Sequence, residues 1–343
     1  MKEIKKMESA HDRRTFLERF SFGAAVLASL RPGAAATASA GKKLAGVFPI
    51  GFSPFTAGDK LDLDGLASQV KFCNRGGVRG FVWPQIASAW TTLSEKERLD
   101  GAEAIVAAGK GGATALVIGV QAGVQAPDMA AILRLAKHAA KVGADAIVSL
   151  PPDGQNDDQT LLDFYQQIGR ATQLPLFVQS TGSMSVDLLL EMLRTIPTFR
   201  HVKDEAGDPL ERVTDIRARS GDRLKVFSGF GVQTMITEME LGFSGHCPFV
   251  SVADIYSSAY DLWHSGQKRA AFDMFGRIQA LNSMVPTNSF DVLIARGVLK
   301  PGVRAREAAA VAAASPPRRR APAMTIEEIQ ATLKTYLQPY LRG

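Results

Sequence analysis

Lys203 closes the apolar run 199–203 and is followed at once by Asp204 and Glu205. A short apolar run reads as a strand buried on both faces, so the lysine stem points into a dry interior. Loss of water disfavours an ammonium and favours the neutral amine. A neutral amine attacks a carbonyl carbon and forms a Schiff base, which then draws electrons from a neighbouring bond. The same residues also allow a plain structural ion pair between Lys203 and Asp204 or Glu205. Glu205 lies two residues beyond Lys203, on the same strand face. There it either moves protons for the amine or anchors a neighbouring backbone.

Such groups act only when larger elements hold them. Eight short apolar runs follow one another: 45–49, 80–83, 115–120, 146–150, 176–179, 199–203, 225–228 and 248–252. Between them lie segments with helical periodicity: 64–74, 95–108, 129–142, 161–172, 186–195, 209–219 and 233–241. Ser94 with Glu97, and Thr325 with Glu328, form capping boxes that start helices. Gly77, Gly143 and Gly242 stand where helices stop before strands. Eight evenly spaced units predict a (β/α)8 TIM barrel, in preference to an open doubly wound sheet, with a C-terminal helical appendage. No Gly-x-Gly-x-x-Gly follows the first run, so no dinucleotide site is expected, nor any other cofactor.

Barrel chemistry gathers at the C-terminal ends of the strands. The ends nominate Ser53, Trp83, Gln85, Gln121, Ser149, Asp153, Gln179, Ser180, Lys203, Glu205, Ser228 and Ser251. Trp83 is expected to give a flat wall, or else to pack beneath a loop. Gln85 is expected to give a neutral amide suited to a bulky or weakly anionic ligand. Ser149, Gln179, Ser228 and Ser251 are expected to bind substrate. Asp153, in Pro151-Pro152-Asp153-Gly154, is either a second proton carrier or a turn residue. The histidines show no paired metal-ligand spacing, and His201 is expected in the core.

The 343 residues carry a net charge of +6. Much of that charge lies outside the barrel. Residues 1–40 hold seven basic and four acidic residues, so without them +6 falls by three to +3. Val303 to Met324 holds five arginines against Glu307, within an Ala/Pro/Arg-rich stretch expected to be a loop. A nucleic-acid partner therefore has no basis. The N-terminus runs Arg13-Arg14-Thr15-Phe16-Leu17, then an apolar stretch 20–30, then Ala38-Ser39-Ala40. It resembles a twin-arginine export signal, with cleavage expected after Ala40 and a periplasmic product. The apolar stretch is too short to span a bilayer, which needs about 20 residues. Cys73 and Cys247 are expected to be free thiols, because such cargo folds in a reducing compartment. The expected organisation is thus a signal over 1–40, a barrel over 41–302, a loop over 303–324 and a last helix over 325–343.

The stretch His201-Val202-Lys203-Asp204-Glu205-Ala206-Gly207-Asp208 resembles the sixth-strand signature of the dihydrodipicolinate synthase / N-acetylneuraminate lyase family. Similar segments are Thr92-Leu93-Ser94-Glu95-Lys96-Glu97-Arg98, Gly143-Ala144-Asp145-Ala146 with Pro151, Ser228-Gly229, and Arg296-Gly297-Val298-Leu299-Lys300. The resemblance implies a TIM barrel, Lys203 as the Schiff-base lysine, and a homodimer or homotetramer. Three helpers of the family pattern are absent. The Gly-Thr-Thr-Gly-Glu loop reads Gln85-Ile86-Ala87-Ser88-Ala89, the strand-4 tyrosine falls on Asp153, and the Gly-Arg-x-Gly loop reads Gly182-Ser183-Met184-Ser185. The expectation is a Schiff-base lyase, an aldolase or hydro-lyase, acting on a 2-oxo acid or a sugar-derived ketone. The alternative is an inactive periplasmic barrel that binds a small carbonyl or carboxylate ligand.

Overall fold

The computed structural model describes residues 41–124, 126–229, 232–306 and 324–342. The export signal and the arginine run Arg318-Arg319-Arg320 lie outside the described residues. The chain from Gly41 alternates strands and helices. The strands are β1 (Gly46–Val47), β2 (Gly80–Trp83), β3 (Ala115–Gly119), β4 (Ala146–Ser149), β5 (Leu176–Ser180), β6 (Phe199–Asp204), β7 (Lys225–Ser228) and β8 (Gly245–His246). The helices following β1 to β7 are α1 (Leu63–Arg75), α2 (Glu95–Ala108), α3 (Met129–Val142), α4 (Asp158–Ala171), α5 (Val186–Thr195), α6 (Pro209–Ser220) and α7 (Met235–Glu240). After β8 come α8 (Ala253–His264), α9 (Lys268–Met284), α10 (Phe290–Ala295) and α11 (Ile326–Leu337).

All strand pairs are parallel, in the order β1-β8-β7-β6-β5-β4-β3-β2. The ring closes between β1 and β2 through a parallel bridge at Ile50 and Val82. There Val82 N–H donates to Pro49 O at 3.0 Å and Gly51 N–H to Val82 O at 2.9 Å. This is the expected (β/α)8 barrel with C-terminal helices. The two capping boxes form as the sequence predicts, at Ser94–Glu97 and Thr325–Glu328. The eighth strand is a correction. It lies at Gly245–His246, and 250–252 form a 3-10 turn instead. Cys247 N–H still bonds to Ser228 O at 2.9 Å, but Pro248 has no N–H to continue the ladder. The stretch taken as a loop from Val303 also begins in order. Arg304 bridges Phe55 antiparallel, and Arg306 pairs with Glu97 at 2.8 Å and stacks over Phe55.

Two apolar layers follow from strand alternation. One set of side chains faces the helices; the other, including Phe48, Val82, Val117, Val148, Phe177, Phe227 and Cys247, fills the barrel. Phe48, Phe177 and Phe227 meet with centroids 5.2–5.9 Å apart, and His201 stacks on Phe177 at 4.3 Å. Aromatic contacts of this kind contribute about 0.5–1.5 kcal/mol each beyond area burial. They plug the lower barrel, so polar groups are concentrated above them. Burial, with help from the Lys225 and Arg200 charges, lowers the His201 pKa to about 4, which keeps its ring neutral in the core.

Candidate active site

The direction of Lys203 depends on one irregularity. Leu176 pairs with Phe199, but Phe177 pairs with His201, so Arg200 is an extra residue in β6. Phe199 packs in the outer layer with Leu176. Simple alternation from Phe199 would turn residues 201 and 203 outward as well. The bulge resets the alternation, and His201, Lys203 and Glu205 all face inward. Asp204 faces the helices, where Arg212 grips it at 2.9 and 3.1 Å.

At the mouth, Lys203 Nζ lies 3.1 Å from Glu205 Oε2, with the two side chains 13% and 12% exposed. Gln179, the neighbour of Lys203 in register, donates its Nε2 to Glu205 Oε2. Both long side chains lean over Gly229, just past the end of β7. A Cβ there would overlap Glu205 Oε1 and come within 2.7 Å of Lys203 Cε. Cys247, just past β8, faces inward, and burial raises its thiol to about 12 even against the nearby Lys203 charge. The thiol is therefore neutral at ordinary pH. Cys73 is also free and buried, in α1.

On the opposite side, Gln121 donates its Nε2 to Pro84 O at 2.9 Å, and the buried Gln85 side chain finds no partner. The β3 end is pinned from behind by Arg98, which donates to Gln121 O and, at 2.9 Å, to Gly119 O. Burial lowers the Arg98 guanidinium to about 10. The loop after β2 is tied down by Ser88, whose Oγ donates to Gly51 O at 2.5 Å and accepts from Gln85 N–H at 3.0 Å. Ile86 and Ala87 are exposed.

Several nominated residues do not reach this mouth. Trp83 sits in the outer layer, fully buried, and donates its Nε1 to Ser53 Oγ at 2.9 Å. A Cβ at Gly101 in α2 would overlap its ring, so it packs under the loop and helix and forms no pocket wall. Ser149 follows inward Val148 and therefore points outward, bonding Leu150 O at 3.1 Å. Ser228 also points outward, 3.0 Å from His246 Nδ1, which in turn lies 2.8 Å from Glu238. Burial pushes the Glu238 carboxyl up, but bonds from His246, Ser228 and Thr234 outweigh it and hold it below the usual range. Ser251 lies beyond β8 and donates to Thr287 O. Asp153 is exposed on a turn after β4. Trp83, Ser149 and Ser228 share one cause: nominating a strand end ignores which face its last side chain takes, whereas Ser251 lies past the shorter β8 and Asp153 on a turn. Applying the alternation would have removed Ser149 and promoted Gln121 and Cys247.

Among the described residues, no group of three His, Cys, Asp or Glu side chains is placed to hold a metal ion. The mouth thus offers one amine, one carboxylate and several carboxamides, an arrangement able to move protons beside a nucleophile.

Comparison with known proteins agrees with the architecture. A sialic acid aldolase from Ruminococcus gnavus superposes with a TM-score of 0.72, at 15% identity, over 87% of this chain and 99% of that one. The 4-hydroxy-tetrahydrodipicolinate synthase of Rhizobium meliloti (strain 1021) is 29% identical over 207 residues, 59% of this chain and 66% of that enzyme. The enzyme of the same description from Helicobacter pylori (strain P12) is 33% identical over 139 residues, 39% of this chain and 44% of its own length. The chain thus spans less than two thirds of these two relatives. The model of the dihydrodipicolinate synthetase family matches residues 43–317, most of the chain. On that match, the chain belongs to the dihydrodipicolinate synthetase family.

Proposed function

We propose that the protein is a Schiff-base lyase in which Lys203 is the nucleophile and Glu205 the proton carrier. The observation that carries this reading is the inward Lys203–Glu205 pair, 3.1 Å apart and nearly shut off from water at the strand ends. Glu205 takes a proton from the Lys203 ammonium, and the free amine attacks the substrate carbonyl carbon. The carbonyl oxygen gains that proton and becomes a carbinolamine hydroxyl. A second proton, again from nitrogen by way of Glu205, lets it leave as water. An ammonium and a ketone thereby give a protonated imine and one water. The imine then accepts the electron pair of the adjacent carbon–carbon bond as Glu205 removes the proton of a β-hydroxyl. Gln179 holds the carboxylate in place through these steps. Proton transfer by a positioned group of this kind contributes roughly 10²–10⁴-fold.

Borohydride reduction in the presence of carbonyl compounds tests the reading. Peptide mapping should find the reduced adduct on Lys203. A broad carbonyl panel that leaves Lys203 unlabelled overturns it. The exposed Ile86 and Ala87, where the family pattern has threonines, favour a second reading: a barrel that binds a small carbonyl or carboxylate ligand without turnover. In that case ligands stabilise the wild type and Lys203→Ala alike. Export by the twin-arginine route belongs to the same proposal, and Arg13→Lys with Arg14→Lys should keep the protein out of the periplasmic fraction. Assembly into a dimer or tetramer is proposed alongside it, and light scattering of the mature chain tests it.

A further inference from the structure

Gly229 is the seat on which Lys203 and Glu205 rest, and little backbone pairing holds it there. A Cβ on it would lie 1.8 Å from Glu205 Oε1 and 2.7 Å from Lys203 Cε. It follows Ser228, the last residue of β7, and β7 pairs on its far side with β8, which is two residues long. Among the described residues, the bond from Cys247 N–H to Ser228 O at 2.9 Å is the last one between these two backbones. So short a ladder leaves few bonds to fix the end of its neighbour.

Side chains on the outer face of the sheet take over that task. Ser228 Oγ lies 3.0 Å from His246 Nδ1, and His246 Nδ1 lies 2.8 Å from Glu238 Oε2. Thr234 Oγ1, at the start of α7, donates to Glu238 Oε1 at 2.8 Å. Burial opposes charge on Glu238, but bonds from His246, Ser228 and Thr234 keep it a carboxylate. A carboxylate only accepts, so Nδ1 carries a proton and donates it. His246 Nε2 is buried and bonds nothing, so the ring is committed wholly to Ser228 and Glu238. The network therefore ties the end of β7 to β8 through His246 and to α7 through Glu238, on either side of Gly229.

Val232, between Gly229 and α7, shows that this connection is held under strain. It is buried, with a φ of 55°, in the left-handed region that β-branched residues avoid. Its N–H donates to Gly229 O at 2.9 Å, and its carbonyl accepts from Gln279 Nε2 at 3.5 Å. A conformation of this kind persists only where its surroundings fix it.

We propose that His246 and Glu238 are positioning residues for the lysine site, holding Gly229 through Ser228 at the height where Lys203 and Glu205 meet. They lie behind the sheet and act on the pair only through that seat. The proposal rests on the Schiff-base reading, since it concerns the alignment of that same lysine.

Borohydride trapping of Lys203 on the full chain tests it, with pyruvate, acetone and 1,3-dihydroxyacetone each supplied over a range of concentrations. His246→Leu should lower the maximal labelling rate roughly 10-fold and leave the half-saturating concentration within about 2-fold, because misplacing reacting groups slows chemistry without removing binding contacts. His246→Asn carries a nitrogen as many bonds from the backbone as Nδ1, and should bring the rate back to within about 3-fold of the wild type. Ser228→Ala removes a single oxygen and should lower the rate by about 3-fold or more, which keeps the test open if His246→Leu does not fold. Near-UV circular dichroism shows which variants are folded. Folded variants that label at the wild-type rate, a change confined to the half-saturating concentration, or an Asn variant no faster than the Leu variant overturns the positioning role and leaves the Schiff-base reading standing. Absence of label from all three compounds in the wild type overturns both.

Discussion

Two enclosed ion pairs in this barrel are built for different ends. Arg296 and Asp254, between α8 and the C-terminal helices, meet through two bonds of 2.7 and 2.8 Å, with side chains 3% and 0% exposed. Arg296 also donates to Ser251 O at 2.8 Å and covers the Phe72 ring, and Arg342 N–H reaches Asp254 at 2.9 Å. The guanidinium and carboxylate are held from several sides. Lys203 and Glu205 meet at a single distance of 3.1 Å, with Gln179 bonded to the same carboxylate oxygen and a glycine beneath. A pair held this fully supports structure. On the proposed reading the second pair is placed for a ligand, and the unpartnered Oε1 of the adjacent Gln179 supports that reading.

The sharpest break in this comparison comes from removing one partner of each pair. Lys203→Ala should lower turnover by on the order of 10⁴-fold or more, as loss of a nucleophile does, with little change in the melting temperature. A steady-state assay beside calorimetry checks both parts. Arg296→Ala should do the reverse. It takes the guanidinium away from the buried Asp254 carboxylate and should cost about 3–5 kcal/mol in denaturant unfolding.

A third test concerns the pH dependence of the core below the site. The His201 pKa is about 4 in the folded chain, against 6.5 for the free side chain. The unfolded chain binds the extra proton first, so this contribution is intact above pH 6.5 and is lost as pH falls toward 4. The loss is at most on the order of 3 kcal/mol. His201→Phe should flatten unfolding free energy over that window. An equally steep pH profile in the variant would contradict the assignment. The smallest effect is expected at Gly229. Gly229→Ala presses on Glu205 and Lys203, whose flexible ends can yield, so stability should change by less than about 1 kcal/mol. Turnover should still fall roughly 10-fold, because displacement of a proton carrier by a fraction of an ångström is costly.

Much of this molecule could be read directly. The bounds of α2, α3 and α5 and of β2 and β7 follow from apolar spacing and caps, because those signals are local. The (β/α)8 class followed from eight regular units. The candidate site was only half legible. Lys203, Glu205 and Gln179 come together at the mouth, and Gln85 lies buried at the end of β2. Trp83, Ser149, Ser228 and Ser251 turn to other layers, and Asp153 stays on the surface. Strand ends are visible in a sequence, whereas the face taken by the last side chain depends on pairing with a neighbour.

That distinction is clearest at Lys203. Chemistry and strand position are properties of the residue and its local run, so the sequence alone singled out this amine and the carboxylate two residues later. Its direction was not local. The extra residue at Arg200 exists only relative to the register of β5, and it is this mismatch that turns Lys203 from the helix layer into the barrel. Gly229 and Cys247 became its neighbours in the same non-local way, through the pairing of β6 with β7 and of β7 with β8.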